Sequence, residues 1–197
     1  VLVVAFTTVV TMCMVDGITK KSVAAMLGTI IGVVFSGAFA LIFGQVTSIT
    51  GYNVSDIENL VYVGEMTDIK IGELLFAGIL IASLGAVMDV GMSIASTLNE
   101  LKEQNPQMML KELFQSGMNV GRDMMGTMTN TLILAFTGGS INTLVFIFAY
   151  NYEYQQVINM YSVGIEIMQG LSSSLGVIMA VPVTSWIAAF LYSKNQK

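Results

Sequence analysis

Long apolar stretches with almost no charged residues dominate this chain, and they limit its possible folds more than any other feature. Among 197 residues, 54% are hydrophobic and only 11% are charged, whereas soluble domains carry about 25% charged residues. The hydrocarbon core of a bilayer is about 30 Å thick and requires about 20 apolar residues in each helix that crosses it. The sequence therefore predicts an all-α, polytopic helical membrane bundle that contacts the lipid bilayer.

Five stretches are predicted as transmembrane helices of a single transmembrane domain over residues 1–197. They cover residues 1–15, 23–43, 74–96, 124–150 and 163–192. An outer loop is predicted at 45–71, and a cytoplasmic amphipathic helix at 106–118, with Asn105 as its N-cap and Pro106 at its first position. Because the first span starts at Val1, we expect the chain to be the membrane part of a longer polypeptide.

Small residues and helix breakers mark contacts and bends within the spans. The second span carries a series of small residues: Gly28, Gly32, Ser36 and Gly37. Such a face lets helix backbones approach closely in lipid, where burial of apolar surface does not drive association. Gly138-Gly139 interrupts the fourth span, and Pro182 predicts a kink in the fifth.

Basic residues orient the spans, because loops rich in Lys and Arg stay in the cytoplasm. Seven of the eight basic residues fall in alternate connections or in the tail: Lys20, Lys21, Lys102, Lys111, Arg122, Lys194 and Lys197. The other two loops hold only Lys70. We therefore expect the N-terminus of this chain outside and its C-terminus in the cytoplasm.

The residue inventory argues against most enzyme classes. The sequence has no histidine, its single cysteine is Cys13, and it has neither metal-ligand spacing nor a glycine-rich phosphate loop. It also has no basic patch suited to nucleic acid. We expect no catalytic residues, no cofactor, no metal and no nucleic-acid partner.

Asp89 is the one carboxylate placed well inside a predicted span, near its cytoplasmic end. A charged side chain in hydrocarbon costs on the order of 3 kcal/mol on insertion scales, so such residues usually face the bundle interior and serve a function. We expect Asp89 to exchange protons as a relay residue. The alternative is a protonated Asp89 that holds neighbouring helices together through hydrogen bonds.

Polar residues of other spans are expected at a depth similar to that of Asp89. The candidates for an ion or proton relay are Thr127, Asn130, Thr131 and Thr184. The alternative for each threonine is a hydroxyl bonded to a carbonyl of its own helix, which is common. That alternative is weaker for Asn130, whose amide is not satisfied in this way.

Three further charged residues lie near predicted span ends. Glu166 is a possible outer mouth of a pathway, or a carboxylate solvated at the interface. Arg122 and Asp123 are predicted at the cytoplasmic start of the fourth span. A structural role fits these two equally well, because an acid suits the positive end of a helix and arginine reaches lipid phosphates.

Several long motifs resemble the YibE/F-like membrane protein family, in particular its YibE-type members. They are Leu84–Val90, Ser93–Ser96, Lys111–Asn119, Gly121–Asp123, Thr127–Leu132 and Val181–Thr184. The resemblance extends over essentially the whole chain and implies a multi-pass protein of the bacterial plasma membrane. It implies no particular activity.

A fainter resemblance links Gly85–Asp89 and Asn99–Leu101 to the fourth helix of resistance-nodulation-division permeases and SecD/SecF proteins. It implies that the five spans correspond to helices 2–6 of a permease half-bundle, with Asp89 at the proton-relay position. It also implies a homo- or hetero-oligomer with a second half-bundle. The sequence differs from many such permeases in having Val90 where they carry a second Asp, and in lacking a membrane Lys.

Two functions remain open at this point. The first is a permease-like subunit that couples ion or proton movement to transport or secretion of an unknown substrate. The second is a non-transporting assembly or scaffold subunit whose polar residues only hold helices together. An intramembrane enzyme is a distant third.

Overall fold

The computed structural model describes residues 2–50 and 70–193, and every regular element in these two ranges is an α-helix. The helices are α1 (Leu2–Asp16), α2 (Lys20–Thr47), α3 (Ile71–Gln104), α4 (Leu110–Gly139), α5 (Ile141–Ala149), α6 (Tyr154–Ile158) and α7 (Tyr161–Ser193). The all-α prediction is therefore confirmed for the described residues. Most of the outer loop predicted at 45–71 lies outside them.

Several of these helices are long and apolar enough to cross a membrane. Helices α2, α3 and α7 each meet this condition alone, and α4 with α5 adds a fourth span if the bent pair is taken together. Helix α1 is apolar but has only 15 residues. The helices thus indicate a membrane protein with three or four candidate spans among the described residues, and the count of five stays a prediction.

Helix α4 differs from the sequence expectation. The sequence predicts a surface helix at 106–118 and a separate span from residue 124, but the chain forms one continuous helix from Leu110 to Gly139. Pro106 precedes this helix, whose first turn is capped when the Glu112 carboxylate accepts a hydrogen bond from the Met109 N–H at 2.9 Å. The helix is unbroken between 118 and 124. Gly121, the one glycine in this stretch, packs against α7.

The chain bends by 53° between α4 and α5. The bend follows Gly138-Gly139, where the sequence predicts an interruption, and glycine costs about 1 kcal/mol relative to alanine inside a helix. The Ser140 N–H donates to the Phe136 carbonyl at 3.0 Å, which completes the last turn of α4. Helix α7, in contrast, continues through Pro182 without interruption.

Helix α7 packs against α2, α3 and α4. The predicted small-residue face of α2 makes the closest of these contacts: Gly28 meets Thr184, Gly32 meets Ala180, and Ser36 meets Gly176. Gly37 lies on another side of α2 and contacts Leu80 of α3.

Helix α4 also contacts α7 through small residues. Gly117 contacts Ser185, and Gly121 contacts Val181. The small faces therefore set how closely the backbones approach α7.

A tight polar turn joins α1 to α2. Gly17 adopts a left-handed conformation with φ of 68°, and its N–H donates to the Cys13 carbonyl at 3.1 Å. Thr19 caps α2 by accepting a hydrogen bond from the Ser22 N–H at 3.2 Å. An ion pair of 2.6 Å between Lys21 and Asp16 closes the turn.

Candidate functional site

Asp89 lies on the outward face of α3, where its side chain is exposed. Ile81 and Gly85 are exposed on the same face, and we call these three residues the Asp89 face. Val87 and Val90 on the opposite side are fully buried in the core of the bundle. Because these apolar positions take the inner side of α3, the expectation that Asp89 faces the interior of the bundle is wrong for the single chain.

Three of the predicted relay partners are exposed on α4. The Thr131 hydroxyl donates to the Thr127 carbonyl at 2.9 Å, and the Thr127 hydroxyl donates to the Asp123 carbonyl at 3.4 Å. Both threonine hydroxyls therefore bond to carbonyls of their own helix, which is the alternative to a relay role that the sequence left open. Asn130 is also exposed. Within the described ranges the structure shows no hydrogen bond between any of these residues and Asp89.

Thr184 lies elsewhere, buried between α7 and α2 beside Gly28. It belongs to a set of buried hydroxyls that have no hydrogen-bond partner in the described part of the chain: Thr29, Ser36, Ser172, Ser173, Ser174, Thr184 and Ser185. The structure therefore does not bring Thr184 to the exposed Asp89 face. The consecutive serines 172–174 are visible in the sequence as a signal for this buried set, but the set is absent from the residues predicted above.

Arg122 and Asp123 do not stand at the start of a helix. They are exposed residues well inside α4, which begins at Leu110. The favourable interaction of Asp123 with a helix N-terminus therefore does not apply, because that effect falls off within the first turn.

Glu166 lines a cavity of about 320 Å³ at the bend between α4 and α5. The first turns of α7 form the opposite wall. The apolar lining residues are Ile133, Phe136, Leu144, Val163, Ile167 and Leu171, and the polar ones, besides Glu166, are Thr137, Ser140, Thr143 and Ser162. Glu166 is half-buried and is the only charged residue among those that line the cavity. The sequence singled out this carboxylate but did not predict the cavity.

A metal centre has no obvious place in the described ranges. No three side chains of His, Cys, Asp or Glu there lie together in a way that could hold a metal ion.

These features define the class as an all-helical protein with apolar helices suited to a membrane. The chain belongs to the YibE/F-like protein family, whose model matches residues 1–194. The family assignment made from the sequence motifs is thereby confirmed. Neither a curated protein nor a solved structure matches the chain significantly, and the resemblance to resistance-nodulation-division and SecD/SecF permeases stays a prediction.

Proposed function

We propose that this YibE/F-like chain is a permease-like subunit of the bacterial plasma membrane, with a proton or ion pathway between its Asp89 face and a second half-bundle. The exposure of Asp89 in the middle of an apolar helix carries this proposal. If Asp89 faced lipid, its charge would cost on the order of 3 kcal/mol. A second half-bundle that covers the Asp89 face removes this cost and encloses the carboxylate between two chains.

The surroundings of Asp89 suit helix packing against another chain. A Cβ added at Gly85 would meet no atom within 4 Å, and the same is true of Gly78 on the same helix. Small residues on a free surface allow another helix to approach closely. Asn130, whose amide both donates and accepts hydrogen bonds, is exposed on α4 and is the best candidate to assist Asp89.

A scaffold function is the second candidate, and the threonines of α4 favour it. Thr127 and Thr131 use their hydroxyl protons within their own helix. They therefore have no proton left to donate to Asp89 in this conformation. In a scaffold subunit the Asp89 face would bind the second half-bundle without moving protons.

Proton flux into proteoliposomes separates the two functions. A relay predicts that Asp89→Asn lowers the flux at least tenfold, while circular dichroism shows an intact helical fold. Glu100→Gln is the matched control, because Glu100 is an exposed carboxylate on the same helix. Equal flux from the Asp89→Asn variant and the wild type would overturn the relay.

Cysteine cross-linking tests the second half-bundle. In a Cys13→Ser background, Ile81→Cys should cross-link in native membranes, whereas Leu41→Cys on α2 should not, although both positions are exposed. The mass of the product tells a second copy from a different chain. Equal cross-linking at both positions would contradict an interface at the Asp89 face.

The membrane orientation is tested in the same background. Ser55→Cys, in the loop outside the described residues, should react with an impermeant maleimide applied to the outside of intact cells. Gln115→Cys, exposed on α4, should react only after the cells are opened. Labelling of both positions from one side would refute the predicted topology.

A further inference from the structure

We propose that α3 pairs with the α3 helix of a second copy of this chain, so that the two Asp89 carboxyl groups face each other and share a proton. The inference rests on the proposed function, because it names the second half-bundle as another copy of the same chain. It also gives Asp89 a specific partner group, which is the same carboxyl of the other copy.

The outward side of α3 carries a heptad pattern of mostly small residues. From Gly78 onward, alternating steps of four and three residues lead to position 96. The residues of this α3 seam are Gly78, Ala82, Gly85, Asp89, Met92 and Ser96. Such alternation is the spacing of two helices that wind around each other in a left-handed coiled coil.

The α3 seam is open in the single chain. Gly78, Gly85 and Asp89 are exposed, and the other three members are half-buried. A Cβ at either glycine would meet no atom within 4 Å. Val87 and Val90 belong to the opposite side of α3, which is buried in the core. The exposed members of the seam therefore have no packing partner within the described part of their own chain.

The composition of the α3 seam differs from that of a surface covered by lipid. The exposed residues of α2 include large apolar side chains: Leu27, Val34, Phe35, Leu41 and Ile42. Between residues 78 and 96, all of which the structure describes, Ile81 is the one large hydrophobic residue that is exposed. Small residues are typical of helix interfaces in membranes, because they let backbones approach closely. The seam therefore suits a second helix better than it suits lipid chains.

The common orientation of two copies in one membrane favours a second copy as the occupant. Their α3 helices run in parallel, so each seam residue meets its own counterpart across a two-fold axis. The seam extends over about 27 Å at 1.5 Å per residue, which is close to the roughly 30 Å of hydrocarbon. A second copy thus presents a seam of the same length at the same depth, and one contact covers both Asp89 faces.

The Asp89 carboxyl groups fix the register of this pair. A polar residue within a coiled-coil seam specifies the alignment of two helices, since other registers leave it without a partner. Two carboxylates in contact do not both keep their charge, so the pair holds at least one proton. The protonated carboxyl donates a hydrogen bond to its counterpart. The pairing therefore removes two separate charges from lipid.

Disulfide cross-linking in native membranes tests the pairing in the Cys13→Ser background. Ala82→Cys lies on the α3 seam, whereas Ala77→Cys lies beside it on the same helix, although Ala77 is the more exposed of the two alanines. After mild oxidation we expect at least tenfold more disulfide-linked pairs of identical chains from Ala82→Cys than from Ala77→Cys. Equal yields at the two positions would overturn the pairing.

Gly85→Leu provides an independent test that leaves the Asp89 carboxyl in place. The Cβ position is open in the single chain, so the fold should persist while the leucine side chain keeps two α3 helices apart. Single-molecule photobleaching of labelled chains in lipid vesicles should show at least a tenfold loss of dimers. Gly126→Leu on α4 is the matched control, because its Cβ position is equally open, and it should keep the dimer. A Gly85→Leu variant as dimeric as the wild type would contradict the proposal.

These experiments separate the pairing from the proposed relay. If Ala82→Cys forms the pair but Asp89→Asn keeps full proton flux, the relay is wrong and the pairing stands. If Ile81→Cys cross-links to a different chain and Ala82→Cys forms no pair with itself, the pairing is wrong. The second half-bundle would then have another sequence, and the proposed function would stand without the pairing.

Discussion

Gly28 of α2 and Thr184 of α7 lie in such close contact that a Cβ at position 28 would overlap the Thr184 hydroxyl. The contact belongs to the small-residue face that also joins Gly32 to Ala180. It explains both the four-residue spacing of small residues in α2 and the burial of Thr184. The packing of α2 on α7 therefore depends on the absence of a side chain at position 28.

Gly28→Ala should destabilise the protein. The added methyl group must displace Thr184, and overpacking of a tight core typically costs about 1–3 kcal/mol. Thermal unfolding in detergent, followed by circular dichroism, measures the effect. Gly78→Ala is the control, because no atom lies within 4 Å of its Cβ position and alanine gains about 0.5–1 kcal/mol over glycine inside a helix. Equal stability of the two variants would contradict the close contact.

Thr184→Val should leave stability unchanged or raise it. The Thr184 hydroxyl is buried without a hydrogen-bond partner in the described part of the chain, and replacement of an unsatisfied polar group by an apolar one of similar shape is nearly neutral. Proton flux should also be unchanged, since Thr184 lies away from the Asp89 face. Loss of proton flux in a folded Thr184→Val variant would show that Thr184 takes part in the relay.

Gly17→Ala should destabilise the turn between α1 and α2. Gly17 has a φ of 68° with no atom within 4 Å of its Cβ position, so the cost comes from the backbone alone and should be about 1–2 kcal/mol. Gly17→Asn should cost less, because asparagine tolerates this conformation better than alanine does. Urea unfolding curves of the two variants provide the comparison, and a more stable alanine variant would be inconsistent with the turn.

The sequence predicts those features that depend on local physical rules. Gly138-Gly139 marks the bend because two glycines weaken a helix. The small face of α2 is visible because its spacing places Gly28 and Gly32 on one side of a helix. Each of these features rests on residues close together in the chain.

The rotation of each helix about its own axis cannot be read in the same way. In a membrane protein both the lipid-facing and the core-facing sides of a helix are apolar, so hydrophobicity does not tell one from the other. The sequence therefore places Asp89 within an apolar helix but on the wrong side of it, because the structure has this side chain exposed. The sequence does not predict the Glu166 cavity for a related reason. The cavity depends on the angle between α4 and α5, and hydrophobicity does not indicate that angle.

Tyr192→Phe should destabilise the contact between α7 and α3. The Tyr192 hydroxyl is buried and donates to the Ala95 carbonyl at 3.0 Å, which links two residues distant in the chain. Loss of such a hydrogen bond typically costs about 1 kcal/mol. Tyr161→Phe is the matched control at the other end of α7, since Tyr161 is 54% exposed and Tyr192 only 4%. In detergent, unfolding should shift to lower temperature for Tyr192→Phe alone. Identical midpoints for both variants would show that the hydrogen bond contributes nothing to the packing of α7.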